Sequence, residues 1–202
     1  TRKITVLSFF LGGKKMANGG WQAEVKDWII SIGIALVLAF FIRTFIVELY
    51  LVSGPSMEPT LQNDNRLVIS KFIYRFRIPE RGEVIVFKYP KDPDRDFVKR
   101  VIGLPGDKVA VKAGVVYVNG VAQQENYMKR DSGGHYIPKE NLLQFDEYPE
   151  RLVPEGTIFA MGDNRYNSLD SRDFRVGFIP LDMIKGKALL IFWPLSDWKT
   201  LP

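Results

Sequence analysis

A long apolar segment near the amino terminus places the strongest constraint on how this chain can fold. The twenty residues Trp28–Val47 contain a single charged residue, Arg43. A helix of this length is about 30 Å long, which matches the hydrocarbon core of a bilayer. Arg43 lies near the far end, where a long side chain can reach the interface. The segment therefore predicts a transmembrane helix at residues 28–47.

Two other interpretations compete with an uncleaved membrane anchor. A cleaved signal peptide would need small residues after its apolar run, and residues 43–47 offer no such site. A buried helix of a globular core is the second alternative, and the sequence leaves it open.

The flanking charges predict how the helix is oriented. Five basic residues precede it, namely Arg2, Lys3, Lys14, Lys15 and Lys26, whereas the twenty residues after it contain only Arg66. Because basic flanks stay in the cytoplasm, we expect residues 1–27 to be cytoplasmic and residues 48–202 to lie outside a plasma membrane that is crossed once. Met16 is a candidate true start, and a genuine amino-terminal tail is the alternative.

Residues 48–202 have the pattern of an all-β domain. Short apolar runs alternate with Pro, Gly and Asp, and the pair Asn119-Gly120 between two valine-rich runs is a strong hairpin signal. Residues 123–156 are more polar and are predicted to be an insertion in the sheet. Later apolar runs are predicted to close a barrel or sandwich. The fold class expected is therefore mainly β, preceded by one transmembrane α-helix.

The composition excludes several kinds of chemistry. The chain has no cysteine, so disulfides, thiol nucleophiles and thiolate metal sites are excluded. It has one histidine, His135, which excludes a multi-histidine metal site. The net charge of +5 is scattered, without a basic block, so no nucleic-acid partner is expected. No Walker, Rossmann or metal-ligand pattern is present, and we expect neither a cofactor nor a metal.

Ser56 is the candidate nucleophile. Gly54 and Pro55 before it force a turn, and Pro59 discourages a helix through the segment, so the hydroxyl can be presented at the edge of the domain. A plain turn serine is the alternative interpretation. A serine hydroxyl needs a base to remove its proton, and His135 lies in a Gly-rich polar loop where an uninvolved imidazole is expected.

A neutral lysine is then the remaining candidate base. Lowering the pKa of a lysine from about 10.4 to about 8 takes roughly 3 kcal/mol of burial, so the residue must lie on the core face of a strand. Alternation places Lys99 on one face with Phe97 and Val101. Lys71 and Lys88 fit the same argument, so periodicity alone leaves three candidates.

Four ordered motifs resemble those of bacterial type I signal peptidase, the Ser/Lys dyad protease family also called leader peptidase. They are SGPSMEPTL at 53–61, RGEVIVF at 81–87, FVKRVIGLPGD at 97–107 and GDNRYNSLDSR at 162–172. The apolar segment resembles the membrane anchor that precedes them in the family. The resemblance implies a membrane-bound serine endopeptidase that cleaves signal peptides from exported pre-proteins through an acyl-enzyme, with the lipid bilayer as its second partner.

The resemblance also assigns roles to individual residues. It makes Ser56 the nucleophile, Lys99 its general base and Ser168 a hydroxyl that hydrogen-bonds and orients the lysine. It implies two supporting pairs, Asp170 with Arg172 and Asp163 with Arg100. It places the extended substrate beside Val52, Gly54, Phe97 and Val98. Some family members have a serine two residues before the nucleophile as an oxyanion donor, but here that position is Gly54.

Two further hypotheses stay open at this point. A Ser/Lys autoprotease would keep the dyad but cleave itself, and the membrane anchor and the lack of a DNA-binding segment argue against it. A non-catalytic, membrane-anchored β-domain would use the Ser56 edge to bind a partner. Cleavage of a pre-protein by the purified chain separates these two from the peptidase.

Overall fold

The structure is a computed structural model that describes residues 21–128 and 147–202. Its first element is helix α1, Trp21–Phe45, and the stretch Glu24–Phe45 is long and apolar enough to cross a membrane. It is the one such helix in these two ranges. The apolar residues lie around its whole circumference instead of forming one stripe, the pattern of a helix that has apolar surroundings on every side.

The helix boundaries differ from those expected at residues 28–47. The helix begins earlier, at Trp21, because the intervening residues include good helix formers such as Glu24 and Lys26. It ends at Phe45, and Val47 already belongs to the first strand, where it pairs with Ser70.

Twelve strands follow the helix in the described ranges. They are β1 Val47–Leu51, β2 Arg66–Ser70, β3 Val84–Tyr89, β4 Asp92–Gly103, β5 Lys108–Lys112, β6 Val115–Val118, β7 Val121–Ala122, β8 Tyr148–Leu152, β9 Thr157–Met161, β10 Ile179–Pro180, β11 Ile184–Trp193 and β12 Lys199–Thr200. An eight-stranded sheet has the order β1-β2-β11-β3-β4-β9-β10, with β12 paired to β11. A four-stranded sheet has the order β7-β6-β5-β8. The pairings in both sheets are antiparallel.

Three buried clusters form the core of this β-domain. One packs β2, β3 and β11 against the segment after β1, including Val52, Met57 and Leu61. A second lies among β3, β4 and β9, and a third fills the smaller sheet around Phe159. The first cluster positions the candidate nucleophile, because Ser56 lies between two of its buried members.

The expected fold class is confirmed: a mainly β domain follows one apolar helix. The predicted insertion at 123–156 contains a strand that the sequence analysis did not identify, since Tyr148–Leu152 forms β8 and pairs with β5. Only one side chain of this strand, Tyr148, is even partly buried, so it lacks the apolar alternation that marks a strand in sequence. Residues 129–146, with His135, lie outside the described residues, as do residues 1–20.

Candidate active site

Ser56 lies in a tight turn that the buried core holds on its carboxyl side. Gly54 has a φ of +93°, a conformation that glycine adopts without steric cost. Its N–H donates to Asn63 Oδ1 at 2.8 Å, which fixes the approach to the turn. Met57, directly after the serine, is 1% exposed. The side chain of Met57 therefore anchors the turn while the neighbouring hydroxyl stays at its edge.

Lys99 extends from β4 to this serine. Its Nζ donates to Ser56 Oγ at 2.8 Å and to the Val98 carbonyl at 2.9 Å. The residue is 3% exposed, and its Nζ lies 5.2 Å from the centre of the Phe97 ring. Lys99 is therefore sheltered, and its side chain lies near Phe97, the neighbour that alternation along the strand predicts.

Burial lowers the pKa of Lys99 from its ordinary value of 10.5 to about 8. Desolvation disfavours the ammonium form because a charged group loses more hydration than a neutral amine. The carboxylates of Asp170 and Asp163 act in the opposite direction, and the Arg172 guanidinium adds to the lowering of this pKa. A substantial fraction of this lysine is therefore neutral at weakly alkaline pH.

The other two lysines that fitted the periodicity lie elsewhere. Lys71 Nζ is 3.6 Å from Glu48 Oε2, a partly exposed ion pair, and Lys88 is exposed on β3. Neither lies in the surroundings that would keep a lysine neutral.

The loop 162–172 after β9 holds the first of two ion pairs near the lysine. Arg172 Nε and Nη2 donate to the two oxygens of Asp170, each at 2.9 Å. The Gly162 N–H also donates to Asp170, at 3.0 Å. Burial would raise the pKa of Asp170, but Arg172 outweighs it and holds this pKa below its usual range.

The second ion pair, Arg100 with Asp163, is also bidentate and buried. Arg100 Nε donates to Asp163 Oδ1 at 2.8 Å and its Nη2 donates to Oδ2 at 2.6 Å. Arg100 Nη1 also donates to the Gly82 carbonyl at 2.7 Å, which ties the pair to the turn before β3. Because Arg100 follows Lys99 on β4, the two side chains point to opposite faces of the strand.

Asn164 connects the loop directly to the nucleophile's turn. Its N–H donates to the Ser56 carbonyl at 3.1 Å, and its Nδ2 donates to the Pro55 carbonyl at 3.0 Å. The sequence analysis quoted this residue within a motif but gave it no role. Its contacts show that the loop fixes the backbone at the serine.

Ser168 is buried near the dyad, but the hydrogen bond expected from its hydroxyl to Lys99 is not formed. Its Oγ has no hydrogen-bond partner among the described residues. The hydroxyl helps to lower the pKa of Asp170 without reaching hydrogen-bond geometry. A Cβ on Gly162 would collide with the Ser168 side chain and would lie 2.5 Å from the Ser56 carbonyl oxygen. The Ser168 side chain and the Ser56 carbonyl therefore both lie against Gly162.

A cleft of about 400 Å³ opens beside Ser56 and Lys99. It is lined by Tyr50, Leu51, Val52, Ser53, Ser56, Met57, Arg95, Asp96, Phe97, Val98, Lys99 and Leu169. Three of the four expected substrate-binding residues are in this lining, and Gly54 is not. In the described residues β9 pairs with β4 only from Arg100 onward, so residues 96–99 have a strand neighbour on the β3 side alone. An extended peptide can therefore lie along this part of β4.

Two polar clusters near the site were missed by the sequence analysis. Lys185 Nζ and the Tyr50 hydroxyl both donate hydrogen bonds to Asp96, which lines the cleft. Glu125 and Arg165 form a buried ion pair beside the loop 162–172. The members of each cluster are far apart in the sequence, and although Arg165 lies in the motif at 162–172, nothing in the sequence pairs it with Glu125.

A serine hydroxyl bonded to a sheltered lysine is the arrangement of the hydrolases that use lysine in place of histidine. The profile of the family described as "Signal peptidase, peptidase S26" matches residues 25–193. The chain therefore belongs to this signal peptidase family. The resemblance predicted from the four motifs is confirmed, and with it the enzyme class, a serine endopeptidase.

Two relatives identified by sequence agree with the family. Signal peptidase IB of Staphylococcus aureus is 41% identical over 186 residues, which cover 88% of this chain and 94% of the relative. A probable signal peptidase I-2 of Synechocystis sp. is 42% identical over 167 residues, or 80% of this chain and 70% of the relative. The crystal structure of a signal peptidase I from Enterococcus faecalis V583 is 33% identical, with a TM-score of 0.43 over 54% of this chain and 95% of that chain.

Proposed function

We propose that this chain is a membrane-bound endopeptidase that removes amino-terminal signal peptides from exported pre-proteins with a Ser56/Lys99 dyad. The observation that carries the proposal is the 2.8 Å contact between Lys99 Nζ and Ser56 Oγ, in surroundings that lower the pKa of Lys99 to about 8. The names of the Staphylococcus aureus and Synechocystis relatives supply the substrate class, since one is a signal peptidase and the other a probable signal peptidase.

The proposed reaction is acyl transfer in two halves. In the first half, neutral Lys99 takes the proton of the Ser56 hydroxyl as Oγ attacks the carbonyl carbon of the scissile peptide bond. The ammonium then gives this proton to the leaving amine, and the acyl-enzyme ester remains on Ser56. In the second half, Lys99 takes a proton from water, the resulting hydroxide attacks the ester, and the proton returns to Ser56 Oγ. Atoms and charge balance over the cycle.

The backbone N–H of Ser56 is the proposed donor to the oxyanion of each tetrahedral intermediate. It donates no hydrogen bond to the described chain, whereas the N–H of Gly54 is already bonded to Asn63. Glycine at position 54 removes the hydroxyl that some family members place there. A neighbouring amide or a water would then be the second donor.

The two ion pairs are proposed to act by positioning. Asp170 with Arg172 and Asp163 with Arg100 fix the loop 162–172 against the turn of the nucleophile. Ser168 is proposed to orient Lys99 once its amine carries the proton, because its buried hydroxyl lies against Gly162, as the Ser56 carbonyl does, and has no other partner among the described residues.

The substrate is proposed to bind as an extended strand along residues 96–99 of β4. Its residues before the cleavage site would contact Val52, Phe97 and Val98, and Gly54 would leave room for its backbone, since no atom lies within 4 Å of a Cβ built at that position. Shallow apolar pockets at these residues favour small side chains at alternate positions of the signal peptide. Helix α1 would hold enzyme and signal peptide on one membrane surface, with the amino terminus in the cytoplasm.

Cleavage of a pre-protein by the purified full-length chain in detergent micelles tests the dyad. We expect Ser56→Ala and Lys99→Ala to abolish cleavage, while Ser196→Ala and Lys88→Ala, which change exposed residues, match the parent. The kcat/KM of the parent should rise with pH through about 8, as Lys99 of the free chain loses its proton. Undiminished cleavage by either dyad variant would refute the proposal. So would activity lost only below about pH 6, as for a histidine base.

A further inference from the structure

The segment that follows β7 places the buried carboxylate of Glu125 beside the loop 162–172. Glu125 is 1% exposed and Arg165 is 5% exposed. Arg165 Nη1 donates to Glu125 Oε2 at 3.0 Å, and Arg165 Nη2 also donates to Glu125 Oε1. A bidentate pair of this kind fixes both position and orientation of the guanidinium.

Arg165 in turn makes hydrogen bonds to residues at both ends of the loop 162–172. Its Nε donates to the Gly162 carbonyl at 3.0 Å, and its own carbonyl accepts from Arg172 Nη2 at 2.7 Å. Arg172 is the partner of Asp170, so a displacement of Arg165 would reach both Gly162 and the Asp170 pair.

Tyr127, two residues after Glu125, contacts the other ion pair. Its hydroxyl donates to Glu125 Oε1 at 2.6 Å, and burial raises the pKa of Tyr127 so far that the hydroxyl stays a donor. The guanidinium of Arg100 lies 3.9 Å from the centre of the Tyr127 ring, a cation–π contact. One short segment therefore holds the arginines that bind Gly162 and Asp163.

Gly162, whose carbonyl accepts from Arg165, is also in close contact with the turn of the nucleophile. A Cβ on Gly162 would lie 2.5 Å from the Ser56 carbonyl oxygen and would collide with Ser168. The next contact, from the Asn164 N–H to the same carbonyl, is 3.1 Å long. Movement of the turn 162–164 is thus transmitted to the backbone that carries the Ser56 hydroxyl.

We propose that Glu125 and Tyr127 are positioning residues for the peptidase reaction, which hold the turn 162–164 against Ser56 through Arg165 and Arg100. The inference rests on the proposed function of Ser56 and Lys99. Neither residue touches the serine or the lysine, and both act through the arginines. A buried ion pair contributes little net stability compared with apolar packing. We therefore expect the contacts of Glu125 and Tyr127 to fix the geometry of the active site.

The test uses Glu125→Gln in the full-length chain, with Glu150→Gln, an exposed carboxylate of β8, as the matched control. Glutamine keeps one acceptor for Arg165 but turns its NH₂ against the second guanidinium N–H. Because a small misplacement at a reacting centre can cost about 100-fold, we expect kcat for a signal-peptide substrate to fall by about 10- to 100-fold. KM should stay within about twofold, because the cleft is untouched.

Tyr127→Phe is the second variant, since it keeps the ring over Arg100 and removes only the hydroxyl. It should lower kcat by a smaller factor than Glu125→Gln, because the neutral hydroxyl supports Arg165 with two hydrogen bonds: it donates to Glu125 Oε1 and accepts from Arg165 Nη2 at 3.2 Å. Urea unfolding of each variant gives the folded fraction used to correct kcat.

The inference is overturned if corrected kcat of both variants stays within twofold of the parent, or if KM alone rises. Should Glu125→Gln fail to fold, Tyr127→Phe decides by the same criterion. Ser56→Ala is assayed in parallel, because undiminished cleavage by that variant would refute the dyad and with it this role. An inactive Ser56→Ala beside an unaffected Glu125→Gln and an unaffected Tyr127→Phe would refute the positioning role alone and leave the dyad in place.

Discussion

Replacing Lys99 by methionine should make the fold more stable at neutral pH while it removes the proposed base. Burial lowers the pKa of Lys99 from 10.5 to about 8. Each pKa unit corresponds to about 1.4 kcal/mol, so holding this lysine in the folded state costs about 3 kcal/mol at neutral pH. Methionine fills a similar volume and carries no charge. The variant loses two hydrogen bonds worth about 1 kcal/mol each, which leaves a net gain of about 1 kcal/mol.

The pH dependence of this difference has a definite sign. Because the folded-state pKa is depressed, the folded chain binds the proton of Lys99 more weakly than the unfolded chain does. The cost is therefore full below about pH 8 and disappears as the pH rises to about 10.5. At the upper end only the lost hydrogen bonds remain, so the variant should become the less stable chain.

Urea unfolding of the full-length chain in micelles, followed by tryptophan fluorescence, measures the effect. Parent and Lys99→Met should differ by an amount that changes by about 3 kcal/mol between pH 7 and pH 10.5. Other groups that titrate in this range are common to both chains and cancel. Lys88→Met, which removes an exposed lysine from β3, should give a flat difference. A flat difference for Lys99→Met would refute the claim that burial lowers the pKa of this lysine.

Two other predictions concern electrostatics and orientation. Asp170→Asn should move the acid limb of the kcat/KM–pH profile below about pH 8. The Asp170 carboxylate raises the pKa of Lys99, and Arg172, left without its partner, lowers it; a limb that moves to higher pH would contradict this. Because the chain has no cysteine, Ser196→Cys introduces a single exposed thiol, and an impermeant maleimide should label it in intact cells. Labelling only after lysis would place the β-domain in the cytoplasm.

Local features of the sequence were enough to predict the overall organisation. The apolar segment predicts the helix because length and hydropathy alone decide whether a helix matches a bilayer. Alternation around Lys99 predicts its face because a strand has a strict period of two. The turn at Gly54 follows from the freedom of glycine to adopt a positive φ. Each of these inferences needs only neighbouring residues.

Contacts between distant residues could not be predicted in the same way. Periodicity left Lys71 and Lys88 as equal candidates, because the shelter of a lysine depends on what packs over it. Glu125 and Arg165 are forty residues apart, and only the tertiary structure brings them together. The hydrogen bond expected from Ser168 depends on a side-chain rotation that no sequence pattern determines.

The arginines around the site explain why burial prevails over two nearby carboxylates. Asp163 and Asp170 both raise the pKa of Lys99, but burial, which lowers it, is the larger effect. Each carboxylate has its own bidentate arginine, so the lysine is exposed to an ion pair and not to a bare charge. Arg172, the partner of Asp170, is close enough to Lys99 to lower the pKa of Lys99 directly. The two pairs thus fix the loop beside Ser56 and limit the negative potential at the amine, and both effects are needed if a lysine is to serve as a base near pH 8.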